Sequence, residues 1–282
     1  MKRIIHDSVI IKSFNNNIVL IQKDNKEKLL FAKGIGFGKR PGDIIPSGTL
    51  VEKVFVIEDE QNLKNFNNLI NANNENFIIL CEEIIYKISE EFGEDLNENI
   101  HISLTNHLAF ALQRLKDGQE IENPFLVEIE TLYNSEFKLA QEIAKKIKNE
   151  TNIIIPDGEA AFIALHIHSA RNNGKLSNTI KYSFLASKIV EYVEDEIGIS
   201  VNRKSLDYAR FLTHIRFAVE RIMNNKCNKN DLKETIKRIY KKSYKIAIGV
   251  GKIIEDELDI EVDEDEIAYL AMHIERLRIA VL

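Results

Sequence analysis

Along the first 57 residues, apolar and β-branched positions fall into short runs at 9–12, 18–23, 28–32 and 51–57, separated by residues that favour turns. Asn15-Asn16-Asn17 divides the first run from the second, and Asp24-Asn25-Lys26 joins the second to the third as a hairpin loop would. Arg40-Pro41-Gly42-Asp43 puts Pro and Gly where a type II turn needs a fixed φ followed by a positive one. The pattern predicts a small antiparallel β-sheet. So short a segment has a marginal core, and pairing of two copies is one way to bury its apolar face. From about residue 60 the pattern turns to helical periodicity, with long amphipathic stretches and few Gly or Pro, so the body is predicted to be all-α.

The body repeats itself at a constant offset of 107 residues. His107 maps to His214 and His166 to His273, and the same offset relates Phe110 to Phe217, Arg114 to Arg221, Tyr133 to Tyr240, Lys138 to Lys245, Ala140 to Ala247 and Glu159 to Glu266. Two homologous helical-bundle domains therefore follow the sheet. Polar, aperiodic stretches at 71–76 and at Asn172-Asn173-Gly174 mark their borders. The resulting division is a sheet domain at 1–58 and helical domains at 65–172 and 178–282.

Composition and charge narrow the possible functions. A chain of 282 residues with 44% hydrophobic and 29% charged positions can build several packed cores, which rules out wholesale disorder. No apolar run approaches the roughly 20 residues of a membrane span, and the opening residues through His6 lead to Asp7 and Lys12 rather than to a signal-peptide core, so a soluble, cytoplasmic chain is expected. Cys81 and Cys227 are far apart and lack metal-ligand spacing, which leaves two ordinary thiols, with no disulfide, zinc site or other cofactor expected. The net charge of −6 conceals an uneven distribution: residues 1–57 carry +5 and the remainder −11. A basic head before an acidic body fits a polyanion partner at the amino end, although a solvated surface would have the same composition.

Within that head runs Lys33-Gly34-Ile35-Gly36-Phe37-Gly38-Lys39-Arg40. Its spacing is not that of a nucleotide-binding phosphate loop, and no helix pattern opens after it. Glycines that let a backbone approach phosphates or bases, basic side chains that contact phosphates and a Phe37 that stacks on a base would suit single-stranded nucleic acid. Asn15, Asn16 and Asn17 add amides able to pair with base edges. The competing reading makes the glycines a bulge or tight bend and Phe37 a core residue.

The duplicated histidines are the second candidate. Arg114 and Arg221 lie seven residues after His107 and His214, within about 20° of the same helix azimuth, and Glu159 and Glu266 precede His166 and His273 by the same interval. Asp263-x-x-Glu266 also reads as a capping box. Neutral imidazole accepts a phosphoryl group near neutral pH, and the added charge could pair with a nearby Arg, which suggests a phosphorylation switch. Metal binding is the rival, weakened by the 59 residues between the two histidines of each copy; a packed structural role is the other. His6, His101 and His168 have no repeat partner, Glu275 standing opposite His168, and read as ordinary surface or core residues.

These residues together resemble the BglG/SacY family of transcriptional antiterminators. The resemblance is carried by Ser13-Phe14-Asn15-Asn16-Asn17-Ile18-Val19, by the Lys33–Asp43 segment, and by the blocks Leu104-Thr105-Asn106-His107, Ala164-Leu165-His166-Ile167, Phe211-Leu212-Thr213-His214 and Ala271-Met272-His273-Ile274-Glu275-Arg276. The wording of the glycine segment is nearer to the glucose-type members than to the β-glucoside or sucrose types. The family implies a dimeric RNA-binding domain of four-stranded sheets, then two phosphotransferase-system regulation domains. A leader RNA hairpin is held so that an overlapping terminator cannot form. Carried over by position, Lys12, Asn17, Lys33, Gly34, Phe37 and Lys39 face RNA, with Asn15 and Arg40 as additions. His107, His166, His214 and His273 accept phosphoryl groups from the sugar permease in the first domain and from the phosphocarrier HPr in the second. Asn106, where many relatives have Asp, leaves the preference between His107 and His166 open; Thr213 is its counterpart in the second copy. Ala32, where relatives often have Gly, bears on how closely the third strand approaches RNA.

The reading is a non-enzymatic RNA-binding switch without catalytic residues. A histidine phosphocarrier and a phosphorylation-controlled protein adaptor are the alternatives, and RNA binding by residues 1–57 separates them from it.

Overall fold

The computed structural model describes residues 2–281 apart from 24, 25, 173, 174, 224, 225, 227 and 228. The loop residues Asp24 and Asn25, the separator residues Asn173 and Gly174, and Cys227 lie outside the described residues. In chain order the strands are β1 (Lys2–Arg3), β2 (Ser8–Asn15), β3 (Ile18–Lys23), β4 (Lys26–Phe31), β5 (Ile44–Ile45), β6 (Leu50–Val51) and β7 (Lys53–Ile57). The helices are α1 (Glu60–Ala72), α2 (Glu75–Phe92), α3 (Ile100–Lys116), α4 (Leu126–Leu132), α5 (Asn134–Thr151), α6 (Asp157–Arg171), α7 (Leu176–Ile197), α8 (Leu206–Met223), α9 (Lys233–Ile239), α10 (Lys241–Leu258) and α11 (Glu264–Val281). The expected order, antiparallel sheet then helices, is the observed one. The chain forms two compact units, one of residues 1–122 with 138–174 and one of residues 123–137 with 175–282.

In the first unit the sheet has five strands in the order β5-β2-β3-β4-β7, every pair antiparallel, and β1 and β6 form a separate two-stranded ladder. The two-residue strands β1, β5 and β6 are too short to leave a periodic signature, which is why the apolar runs alone do not reveal them. Strand β3 is central because Ile18-Val19-Leu20-Ile21 is an unbroken apolar run, the pattern of a strand covered on both faces. Val19 and Ile21 join Ile10, Leu30, Ile35 and Ile45 in one cluster, while Ile18 and Leu20 are buried on the alternate face. On β4 and β7, Phe31 and Phe55 meet edge to face at 5.5 Å, Tyr86 of α2 stacks on Phe31, and His101 of α3 packs against Phe55. Helices α2 and α3 therefore cover part of the surface of β4 and β7. Phe31 and Phe55, both buried, each contribute about 1.5–3 kcal/mol.

The Arg40–Asp43 turn forms as expected: Asp43 N donates to Arg40 O at 3.0 Å, and Gly42 has φ +93°. Helix α1 is capped by Asp59, which accepts from Asn62 N, and it ends at Asn73; Asn74 then caps α2. The asparagine-rich stretch is thus a two-residue break between helices, and residue 65 lies inside α1.

The second unit contains α7 to α11 around one apolar core that includes Val190, Tyr208, Phe211, Ile215, Ala247 and Ile274. The 107-residue offset carries α4 onto α9 and α5 onto α10 end to end. Their packing differs: α9 lies on α10 and α11, whereas α4 lies on α7 and α8. There the buried Glu128 accepts a hydrogen bond from the Tyr208 hydroxyl at 2.7 Å.

Candidate nucleic-acid interface and histidine sites

The expected RNA-facing residues gather where the β2–β3 turn meets the glycine-rich loop. Strand β2 departs from regular register between Ile10 and Lys12 and again between Ser13 and Asn15, irregularities that re-aim side chains along this edge. Asn15 Oδ1 accepts from Asn17 N at 2.8 Å, and Asn17 Oδ1 accepts from Gly34 N at 2.9 Å, so these side-chain oxygens build the loop rather than point to solvent. Gly36 N donates to Asn16 O at 3.0 Å. A side-chain carbon on Gly36 would strike the Asn15 carbonyl oxygen and come within 2.9 Å of Ser13 Oγ, so this glycine is required by the packing of loop on turn. The outcome is mixed: the glycine spacing serves the loop's own fold, as in the bend reading, but Phe37 is not a core residue, being 73% exposed.

The basic side chains are placed unequally. Lys33 and Arg40 are exposed. Lys12 lies 3.4 Å from Glu75 of α2 and 5.1 Å from the centre of the Phe14 ring. Lys39 donates to the Ile44 carbonyl at 3.2 Å, which turns it back toward β5. Along this edge Asn15, Asn17 and Gly34 are joined by hydrogen bonds, Lys33 and Phe37 stand on the same loop, and Lys12 lies further along β2, while Lys39 and Arg40 follow in the chain.

Each helical repeat brings its two histidines together. In the first unit His107 of α3 and His166 of α6 have ring centres 5.1 Å apart, and His166 Nδ1 is 3.3 Å from Ser103 Oγ, one turn before His107. In the second unit His214 of α8 stacks on His273 of α11 at 3.7 Å with an interplanar angle of 11°. Burial, and then the charge of His107, push His166 down to about 3. Burial, with His214, Arg221 and Arg276 nearby, pushes His273 down to about 4, and His214 is lowered by burial, Arg276 and Arg221. His166 and His273 are therefore neutral, with nucleophilic nitrogens, at physiological pH.

The arginines lie on the histidine faces, as the spacing predicts, and each is paired with a buried glutamate. Arg114 pairs with the buried Glu159, whose other oxygen lies 3.4 Å from His107 Nε2. Arg221 makes a bidentate pair with the fully buried Glu266 at 2.9 and 2.6 Å. A carboxylate taken out of water needs a cation, and these guanidiniums meet that need before any phosphoryl group arrives. Burial raises the Glu159 carboxyl, but its contacts with His107 and Arg114 outweigh that and hold it below the ordinary range. Asp263 caps α11 by accepting from Asp265 N at 2.7 Å, while Glu266 turns its carboxylate to Arg221, a use the capping-box pattern does not foresee.

Other polar groups of the sites escaped the sequence reading. Ser103 carries no motif, and Arg276, exposed three residues after His273, has Ser169 as its counterpart in the first copy. His101, read as ordinary, is fully buried and 2.8 Å from the buried Glu82. Among the described residues no group of three or more His, Cys, Asp or Glu is arranged to hold a metal ion, and no helix is long and apolar enough to cross a membrane.

A basic, aromatic-bearing sheet edge followed by duplicated histidine-paired bundles defines a class, a nucleic-acid-binding regulator with a repeated regulatory domain. Comparison with known proteins agrees: the CAT RNA binding domain model matches residues 9–64, and the PRD domain model matches residues 82–170 and 187–277. The chain belongs to the family of transcription antiterminators that join a CAT RNA-binding domain to PRD regulation domains, which bears out the resemblance read from its motifs. It is similar to the PtsGHI operon antiterminator of Bacillus subtilis (strain 168), with 38% identity over 96% of this chain and 97% of the relative. The transcription antiterminator LicT of the same organism is 33% identical over 95% of this chain and 98% of its own. Protein GlcT of Staphylococcus saprophyticus is 31% identical over 95% and 96%. Among solved structures, the crystal structure of GlcT CAT-PRDI superposes with a TM-score of 0.51 and 39% identity, covering 59% of this chain and 99% of that one.

Proposed function

We propose that the chain acts as a dimer in the cytoplasm, where it grips a hairpin in the leader of a nascent transcript of a sugar phosphotransferase operon and prevents an overlapping terminator from forming. The observation that carries this reading is the exposed Phe37 on a basic loop whose shape is held by Asn17 and Gly34, within the segment matched to the RNA-binding domain. Such a ring offers a stacking platform, and Lys12, Lys33, Lys39 and Arg40 offer phosphate contacts. Support for a dimer comes from the cross-strand partners Val9 and Ile44 and the nearby Ile5 and Leu50, apolar and exposed around the sheet. A second copy of the same surface would cover them. A tight hairpin complex with the wild-type chain is the expected result of titration at fixed salt, and Phe37→Ala should weaken it about tenfold, since loss of one stacked base costs about 1–3 kcal/mol. Affinity unchanged by Phe37→Ala would remove this edge from the RNA site.

In the same reading, His107, His166, His214 and His273 accept phosphoryl groups, from the sugar permease in the first copy and from HPr in the second. The imidazole nitrogen attacks the phosphorus of the donor's phosphoryl group, an N–P bond forming as the bond from phosphorus to the donor atom breaks and that atom leaves with the electron pair. Arg114 and Arg221 are paired with glutamates, and Arg276 adds a further cation whose charge reaches both His214 and His273, where the first copy has Ser169 at the corresponding position. Incubation with the phosphotransfer enzymes, followed by mass spectrometry that preserves phosphohistidine, should label the histidine pairs and show a longer-lived label in the second copy. No label on any of the four would end the proposal.

A further inference from the structure

Helix α2, the first helix of the first PRD match, lies along the edge that the preceding section assigns to RNA. Glu75, Glu83, Tyr86 and Glu90 fall within about 80° of one another around the helix at 100° per residue, forming one stripe. Each of the first three meets the sheet domain. Glu75 Oε1 is 3.4 Å from Lys12 Nζ. Glu83 Oε1 accepts from Asn15 Nδ2 at 3.4 Å, and its other oxygen is held by Lys146 at 2.7 Å. Tyr86 stacks on Phe31 at 5.1 Å with an interplanar angle of 9°, and its hydroxyl donates at 3.0 Å to Glu52, whose second oxygen accepts from Lys33 N. Between stripe and edge is a cleft of about 430 Å³ with Asn17 and Lys33 on one wall and Glu83, Tyr86 and Glu90 on the other.

The stacked ring pair and the Tyr86–Glu52–Lys33 relay fix α2 in register with the loop, while the carboxylates are set against groups expected to receive phosphate and base. A carboxylate beside Lys12 stands in for a phosphate oxygen, and a phosphodiester entering the cleft meets like charge. We infer that the acidic stripe of α2 is an autoinhibitory contact: RNA and the first regulation domain compete for Lys12 and Asn15, and full RNA affinity requires α2 to withdraw its carboxylates. Regulation then reaches the RNA site through the helix that leads into the histidine-bearing bundle, by shifting the population in which the stripe is seated. The inference rests on the RNA assignment of the edge.

The test uses the full chain and a fluorescent RNA hairpin obtained by in vitro selection on the wild-type protein. Glu75→Gln with Glu83→Gln should tighten binding about fivefold, the scale expected for two solvent-accessible charge contacts. Asp256→Asn with Glu261→Gln, an equal charge change at exposed positions of the second unit, should leave affinity unaltered. Equal tightening by both variants would mean bulk charge alone and would overturn the contact, as would no tightening by the first. In a Lys12→Cys, Glu75→Cys variant with Cys227→Ser, closing the pair with a short bis-maleimide should weaken binding at least tenfold relative to the same variant left open; equal affinity of the two forms also overturns it. Phe37→Ala keeps the two ideas separable. If it weakens binding while the Gln pair changes nothing, the contact is wrong, and if it has no effect the RNA edge itself is wrong.

Discussion

His166 and His273 connect chemistry to stability at single residues. An unfolded histidine protonates near 6.5, whereas these protonate near 3 and 4 because burial disfavours the imidazolium. Between those values the unfolded chain binds more protons than the folded one. The stability contributed by keeping the rings neutral is complete above about 6.5 and declines as pH falls toward 4. The unfolding midpoint in denaturant should therefore drop across that interval in the wild-type chain and drop less steeply in His166→Gln and His273→Gln; parallel curves would show that these rings are not held neutral by the fold. The same residues mark how far single positions can be read from sequence. Repetition at a fixed offset singled out all four histidines, and helix arithmetic placed Arg114 and Glu159 on their proper faces. Which face meets which is a tertiary fact, so the Arg114–Glu159 and Arg221–Glu266 pairs are not legible in the sequence. His101 and Glu82 left no signal because a buried pair has no spacing rule when its members sit on different helices.

At the level of elements, legibility follows length and regularity. The long helices carry a period, strands β2, β3, β4 and β7 carry apolar runs bounded by turn residues, and their order along the chain is legible. The two-residue strands β1, β5 and β6 exist because backbone neighbours are in place, with Val9 opposite Ile44 and Lys2 opposite Val51, and nothing local announces them. Helices α4 and α9 show the other limit. They coincide under the repeat, yet α4 packs on α7 and α8 through Glu128 and Tyr208 while α9 packs on α10 and α11. Position 208 is Tyr where position 101, its repeat counterpart, is His, and each provides the polar tip that satisfies a buried glutamate: Glu128 for Tyr208, Glu82 for His101. The repeat thus preserves these elements more faithfully than their packing partners.

Across the whole molecule the decisive quantity is the distribution of charge, +5 over residues 1–57 and −11 beyond, within a total of −6. Binding that releases counterions from RNA weakens with salt in proportion to the phosphates neutralised, by about 0.7 to 0.9 in the logarithmic slope for each. The basic residues of the head do not count equally toward that slope. Lys33 is exposed, so the phosphate contact proposed for it would release condensed ions in full. Lys12 already faces Glu75, so the phosphate contact proposed for it would exchange one anion for another and leave a carboxylate to gather its own counterion. Lys33→Ala should therefore reduce the magnitude of the slope by close to the full amount per protomer, and Lys12→Ala by clearly less, in titrations of one hairpin over a range of salt. In the Glu75→Gln background the Lys12→Ala effect should rise toward that of Lys33→Ala. Equal slopes for both lysines in the wild-type background would mean that the acidic body leaves the head's electrostatics untouched, and that the −11 is solvated surface rather than a partner the RNA has to displace.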